Sequence, residues 1–117
     1  MTHTLTTPLY YVNDRAHLGS VYTTLACDAI ARHRRLLGES VVFITGCDEH
    51  GQKIQRTAVA AGLSPQAHCD AISSGYRDLW QRWQISNDRF IRTTDPRHRQ
   101  LVAQFFDRVQ ANGDVVE

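Results

Sequence analysis

Residues 7–20, Thr7-Pro8-Leu9-Tyr10-Tyr11-Val12-Asn13-Asp14-Arg15-Ala16-His17-Leu18-Gly19-Ser20, decide how this chain is read. The apolar and β-branched run from Thr4 to Val12 predicts a buried strand, with Pro8 where no ladder donor is needed. A polar bend follows, then a His-x-Gly turn, then a long amphipathic segment. Strand end, glycine turn and helix N-terminus in that order make an anion pocket, because the first amides of a helix lack partners inside it.

Downstream, Val21, Tyr22, Leu25, Ala26, Ala29, Ile30, Leu36 and Leu37 recur with helical spacing, so residues 18–37 predict a one-sided helix closed by Gly38. Val41-Val42-Phe43-Ile44-Thr45 reads as a strand covered on both faces. Strand, helix and strand with short links make a right-handed βαβ unit. A second polar turn, Gly46-Cys47-Asp48-Glu49-His50-Gly51, ends that strand. Helices are predicted over residues 52–61, from the Ser64-Pro65 cap through Trp80 and Trp83, and from Asp95-Pro96 to Asn112-Gly113. The last helix is expected to turn Leu101, Val102, Phe105, Phe106 and Val109 inward. Residues 88–92 read as a short strand or extended link, and residues 114–117 as the start of a further strand. The fold class is therefore α/β, a Rossmann-like parallel sheet that is incomplete within this chain.

The chain has 117 residues, about one domain, with 42% apolar and 21% charged residues, which suits a globular protein. A net charge of +1 gives no bulk attraction to nucleic acid or to a membrane surface. The basic run Arg32-His33-Arg34-Arg35 reads as a solvated helix face. Cys27, Cys47 and Cys69 form no CxxC pair and no disulfide framework, so a cytoplasmic location is expected. No apolar stretch approaches the ~20 residues that span a bilayer.

Ligands of parallel sheets bind beyond the carboxyl ends of the strands, where the two polar turns meet. Gly19 lets a phosphate or a flat ring approach the backbone, and His17 with the helix amides can donate to phosphate oxygens. Asp48 suits a cationic group such as an ammonium. Each feature alone has a bland reading: a histidine cap, an acidic helix start at Asp48-Glu49-His50, strand packing at Tyr10 and Tyr11, and core tryptophans. A metal centre is not expected, since no ligand pairs stand at i, i+4.

Jointly, these segments resemble the N-terminal catalytic region of the class I aminoacyl-tRNA synthetases, in their methionyl branch. The resemblance rests on Tyr10-Tyr11-Val12-Asn13, His17-Leu18-Gly19, the Thr45-to-Ile54 segment and Phe90-Ile91-Arg92-Thr93-Thr94-Asp95. It implies ATP-dependent activation of methionine and transfer to tRNA(Met), with Mg²⁺ accompanying ATP and no role for DNA or membrane. On this resemblance His17 is the catalytic residue, and His17, Gly19, Ser20 and Asn13 contact ATP. Leu9, Tyr11 and Asp48 hold methionine, through the Leu9 carbonyl and the Asp48 carboxylate at its ammonium, with His50 and Gly51 on the pocket wall.

Ser20 stands where the family motif has a second histidine, so a weakened or water-mediated phosphate contact is expected there. Residues 1–117 then form the N-terminal portion of the catalytic domain. The connective peptide with its zinc, the Lys-Met-Ser-Lys-Ser loop and the anticodon-binding region have no counterpart in the sequence. A partial, inactive ligase is the expected identity; the alternative is a non-catalytic nucleotide- or partner-binding module.

Overall fold

The structure is a computed structural model that describes residues 2–116. It comprises β1 (Thr2–Thr6), β2 (Tyr10–Tyr11), α1 (Leu18–Leu36), β3 (Ser40–Asp48), α2 (Gln52–Ala60), α3 (Pro65–Arg82), β4 (Arg89–Arg92) and α4 (Pro96–Ala111). All strand pairings are parallel, with β3 in the centre, β1 and β2 on one side and β4 on the other.

The single strand expected over residues 4–12 is instead two pieces. Thr6 pairs with Ile44, but Tyr10 pairs with Cys47, so the outer strand carries one residue more than β3 across the gap. That is a bulge at Thr7-Pro8-Leu9, and it absorbs the donor that Pro8 lacks. Thr7 holds the bend from both sides: its amide donates to the Ile44 carbonyl at 3.1 Å, and its hydroxyl lies 2.7 Å from that of Thr45.

β3 runs to Asp48, three residues beyond the Val41–Thr45 run, so Gly46, Cys47 and Asp48 belong to the strand and not to the turn. Phe43, Thr45 and Cys47 are fully buried on one face, while Val42 and Ile44 on the other are only half-buried. Coverage on both faces is thus not realised, and the core packs on the Cys47 face, where α2 and α3 contribute Ile54, Cys69, Tyr76 and Trp80. Gly46 permits the close approach of β4, since a Cβ there would stand 2.0 Å from the Ile91 carbonyl oxygen.

The core joins Val12, Cys47, Ile54, Cys69, Tyr76 and Trp80. Tyr10 stacks on Tyr76 at 5.5 Å, and Trp80 meets the Tyr76 ring edge-on at 5.8 Å. Trp83, expected beside Trp80, caps α3 and is half-exposed. α1 begins and ends as its pattern predicts but buries a different face: Ser20, Thr24, Asp28 and Ala31 point inward, and Tyr22 and Ile30 are exposed. Those polar residues are buried because their atoms are satisfied locally. Thr24 Oγ1 donates to the Ser20 carbonyl, and Asp28 accepts from Arg32 and from the Ser86 amide and hydroxyl. α4 buries none of its residues, so the inward face expected at Leu101, Val102, Phe105 and Phe106 is exposed. Residues 114–116 form no strand, and Glu117 lies outside the described residues.

Candidate active site

Tyr11 and Asp48 are register partners at the carboxyl ends of β2 and β3, so their side chains share one face of the sheet. The neighbouring pair, Tyr10 and Cys47, faces the core. This alternation assigns the two tyrosines different tasks. Tyr10 is structural, its hydroxyl donating to the Ser20 carbonyl and lying 2.9 Å from Thr24 Oγ1. Burial raises its phenol pKa above the usual value. Tyr11 is 64% exposed and stands free at the mouth of the site.

His17 is the N-cap of α1, and its Nδ1 accepts from the Gly19 amide at 3.1 Å. An accepting Nδ1 places the imidazole proton on Nε2, leaving a neutral N–H donor for an anion. The His17 ring fills the space over Gly19, where a Cβ would stand 3.0 Å from His17 Cε1. The absence of a side chain at Gly19 therefore serves the histidine cap directly.

Ser20 is placed differently from the phosphate contact expected of it. It is 1% exposed, and its hydroxyl accepts from the His17 amide at 3.0 Å and donates to the His17 carbonyl at 2.8 Å. This reciprocal capping box consumes the serine inside the helix start.

Two cavities open above the strand ends. One, of about 460 Å³, is lined by Leu9, Tyr11, Asn13 and His17 together with Lys53; the other, of about 360 Å³, by Tyr11, Asn13, His50, Gly51 and Lys53. The expected residues Leu9, Tyr11, Asn13, His17, His50 and Gly51 thus gather around adjoining spaces, with Asp48 beside them through Tyr11. Lys53, which lies in the Thr45-to-Ile54 segment and had no role assigned to it, lines both cavities. It is the second residue of α2, just past the Gly51 N-cap, and a cation beside a glycine-capped helix start was the available signal.

Behind this surface lies a polar network that sequence reasoning missed. Glu49 is 5% exposed, its carboxylate gripped by Arg92 at 2.6 and 3.1 Å and by the Ser73 and Thr94 hydroxyls. Burial works to raise the Glu49 pKa, but these hydrogen bonds outweigh it and hold the carboxyl below its ordinary range. The same contacts raise Arg92 above its ordinary value. Asp48-Glu49 is therefore not an acidic helix start; Asp48 ends β3 and Glu49 is an internal ion-pair partner. Burial pushes the Cys47 thiol up to about 11, which keeps it protonated and unreactive. The basic run on α1 is also committed, with Arg32 on Asp28, Arg34 on Glu39 and Arg35 on Asp88. Among the described residues no three His, Cys, Asp or Glu side chains gather as a metal site, so the donors do not fit a zinc ion.

Comparison with known proteins identifies the family and the fold. The family described as tRNA synthetases class I (M) matches residues 3–117. The methionine–tRNA ligase of Thermosynechococcus vestitus is 62% identical over 111 residues, covering 95% of this chain and 21% of that protein. The chloroplastic/mitochondrial methionine–tRNA ligase of Arabidopsis thaliana is 59% identical over 114 residues, covering 97% and 18%. Among solved structures, Mycobacterium tuberculosis methionyl-tRNA synthetase in complex with methionyl-adenylate superposes with a TM-score of 0.93 at 39% identity, covering 96% of this chain and 22% of that one. This chain thus spans about a fifth of the length of the relatives it matches. With a family match over nearly its whole length, and a parallel sheet carrying the matching turns, the chain belongs to the class I tRNA synthetases of the methionine type.

Proposed function

We propose that this chain supplies the first half of the amino-acid activation site of a methionine–tRNA ligase, as the N-terminal portion of its catalytic domain. The observation that carries this is the convergence of the His17-Gly19 helix cap and the Tyr11/Asp48 pair at the carboxyl ends of adjacent parallel strands. In the reaction, a methionine carboxylate oxygen attacks the α-phosphorus of ATP, and the bond to pyrophosphate breaks in line. The methionyl group then passes from the adenylate to the 3′ end of tRNA(Met).

Each residue contributes by position and charge. The Asp48 carboxylate holds the methionine ammonium, with the Leu9 carbonyl as a second acceptor at the bulge, and Tyr11 lines the amino-acid pocket beside His50 and Gly51. His17 donates from Nε2 to a phosphate oxygen as charge moves toward the leaving group, and Asn13 and the backbone at Gly19 border the ATP. Lys53 offers a mobile cation to the same phosphates. Magnesium arrives with ATP, and no residue of this chain is assigned to it. Three free cysteines support work in a reducing compartment such as the cytoplasm.

The test is a graft: the matching segment of the T. vestitus ligase is replaced by this chain, and methionine-dependent ATP–pyrophosphate exchange is measured. Exchange with methionine is expected. A graft that melts cooperatively and exchanges with another amino acid, or with none, would overturn the assignment.

A further inference from the structure

Asp48 can hold an ammonium only if its carboxylate is fixed, and one residue outside the recognised turns touches every member of the segment that carries it. The amide of Thr93 donates to the Cys47 carbonyl at 3.2 Å. Its hydroxyl accepts from the Glu49 amide at 2.8 Å and donates toward Asp48 Oδ1 at 3.4 Å. Its carbonyl lies 3.4 Å from His50 Nε2. Thr93 is 8% exposed and follows β4 directly, so it reaches across the end of the neighbouring strand. Its own neighbours are anchored in turn: Arg92 pairs with Glu49 and Asp70, and Thr94 donates to Glu49.

This geometry fixes where the Thr93 proton goes. An oxygen that accepts from the Glu49 amide directs its hydrogen elsewhere, and the nearest acceptor is Asp48 Oδ1. A β-branched side chain has few χ1 alternatives, so the hydroxyl cannot easily swing away. Asp48 Oδ1 also accepts from the His50 amide at 3.3 Å, which leaves Oδ2 without a partner among the described residues. The 3.4 Å contact is long, as site hydrogen bonds often are before a ligand arrives and tightens them.

We propose that Thr93 is a positioning residue for methionine: it holds Asp48 Oδ1 so that Oδ2 faces the substrate ammonium. The inference rests on the proposed ligase function, and the grafted enzyme tests the two separately. Thr93→Val keeps the shape and removes the hydroxyl. It is expected to raise KM for methionine about 5- to 10-fold, the scale of one typical net hydrogen bond, with KM for ATP unchanged. Thr93→Ser, which keeps the hydroxyl, should return KM for methionine to within about 2-fold of the parent. In an Asp48→Asn background Thr93→Val should cost less than about 2-fold, because the two residues act as one unit. Equal losses for methionine and ATP, failure of Ser to rescue, or full additivity with Asp48→Asn would each overturn the positioning role. Absence of exchange in a cooperatively melting, unsubstituted graft would instead sink the ligase reading beneath it.

Discussion

At His17 one imidazole nitrogen is already engaged by its own helix, and this decides what the other can do. Nδ1 accepts from the Gly19 amide, so Nε2 is the nitrogen left to donate, to phosphate in the proposed site. His17→Ala in the grafted enzyme should lower the exchange rate about 100-fold, the usual cost of one transition-state donor, with little change in KM for methionine. Asp48→Asn should act in the opposite sense, raising KM for methionine more than about 10-fold because a charge-assisted contact to the ammonium is lost. Ser20 separates a binding role from a structural one. With its hydroxyl inside the capping box, Ser20→Ala should cost about 1 kcal/mol of stability, read as an earlier urea midpoint, and leave KM for ATP within about 2-fold. A large rise in KM for ATP would return Ser20 to the phosphates. The sequence shows which residue departs from the motif at this position. It does not show that the replacement is buried, because burial depends on how this face of α1 packs toward Tyr10, whose hydroxyl donates to the Ser20 carbonyl.

At the scale of elements, β3 connects the two turns and is the most constrained segment. Gly46→Ala would drive a methyl into the Ile91 carbonyl, so the β3–β4 pairing must shift and carry Thr93 with it. A loss of about 2–3 kcal/mol is expected, measured as the urea midpoint for loss of exchange activity in the graft. The Glu49–Arg92 pair beneath the same strand end makes the site acid-sensitive. The folded carboxyl titrates below its unfolded value, so its stabilisation is complete above the ordinary carboxylate range and is lost as pH falls through the folded pKa. Stability of the graft should fall with acid below about pH 4.5, and Glu49→Gln should flatten that dependence while lowering stability at neutral pH. Helix ends were legible in advance because caps are local: the Ser64 hydroxyl accepts from the Ala67 amide, and Pro65 and Pro96 begin their helices. The bulge at Pro8, the inward face of α1 and the Glu49 network were not legible. Each depends on a partner distant in sequence, such as Thr45, Ser86 or Arg92, and periodicity carries no information about such pairings.

Over the whole molecule the balance between core and surface differs from that of a finished domain. A chain of 117 residues is expected to have a radius of gyration of about 13 Å, against 16.6 Å here. Its accessible surface is 8282 Å², where a folded protein of 13.3 kDa is expected to show about 6,500 Å². The excess has an identifiable location. Leu18, Tyr22 and Leu36 along α1, and Leu101, Phe105 and Phe106 along α4, are all more than half exposed. Single exposed apolar residues are ordinary, but two helices each presenting such a stripe mark surface that an interface would cover. This explains why the sequence pattern correctly identified α4 as amphipathic while the structure leaves its apolar face bare: the pattern reports what a helix must bury, not where its cover comes from. The chain alone should therefore bind the dye ANS strongly near neutral pH and unfold over a broad range of denaturant. The grafted enzyme, in which the rest of the ligase can pack against α1 and α4, should lose most of that dye binding and unfold more sharply. Weak dye binding by the chain alone, with a steep transition, would show that these faces need no cover and would favour a free-standing binding module.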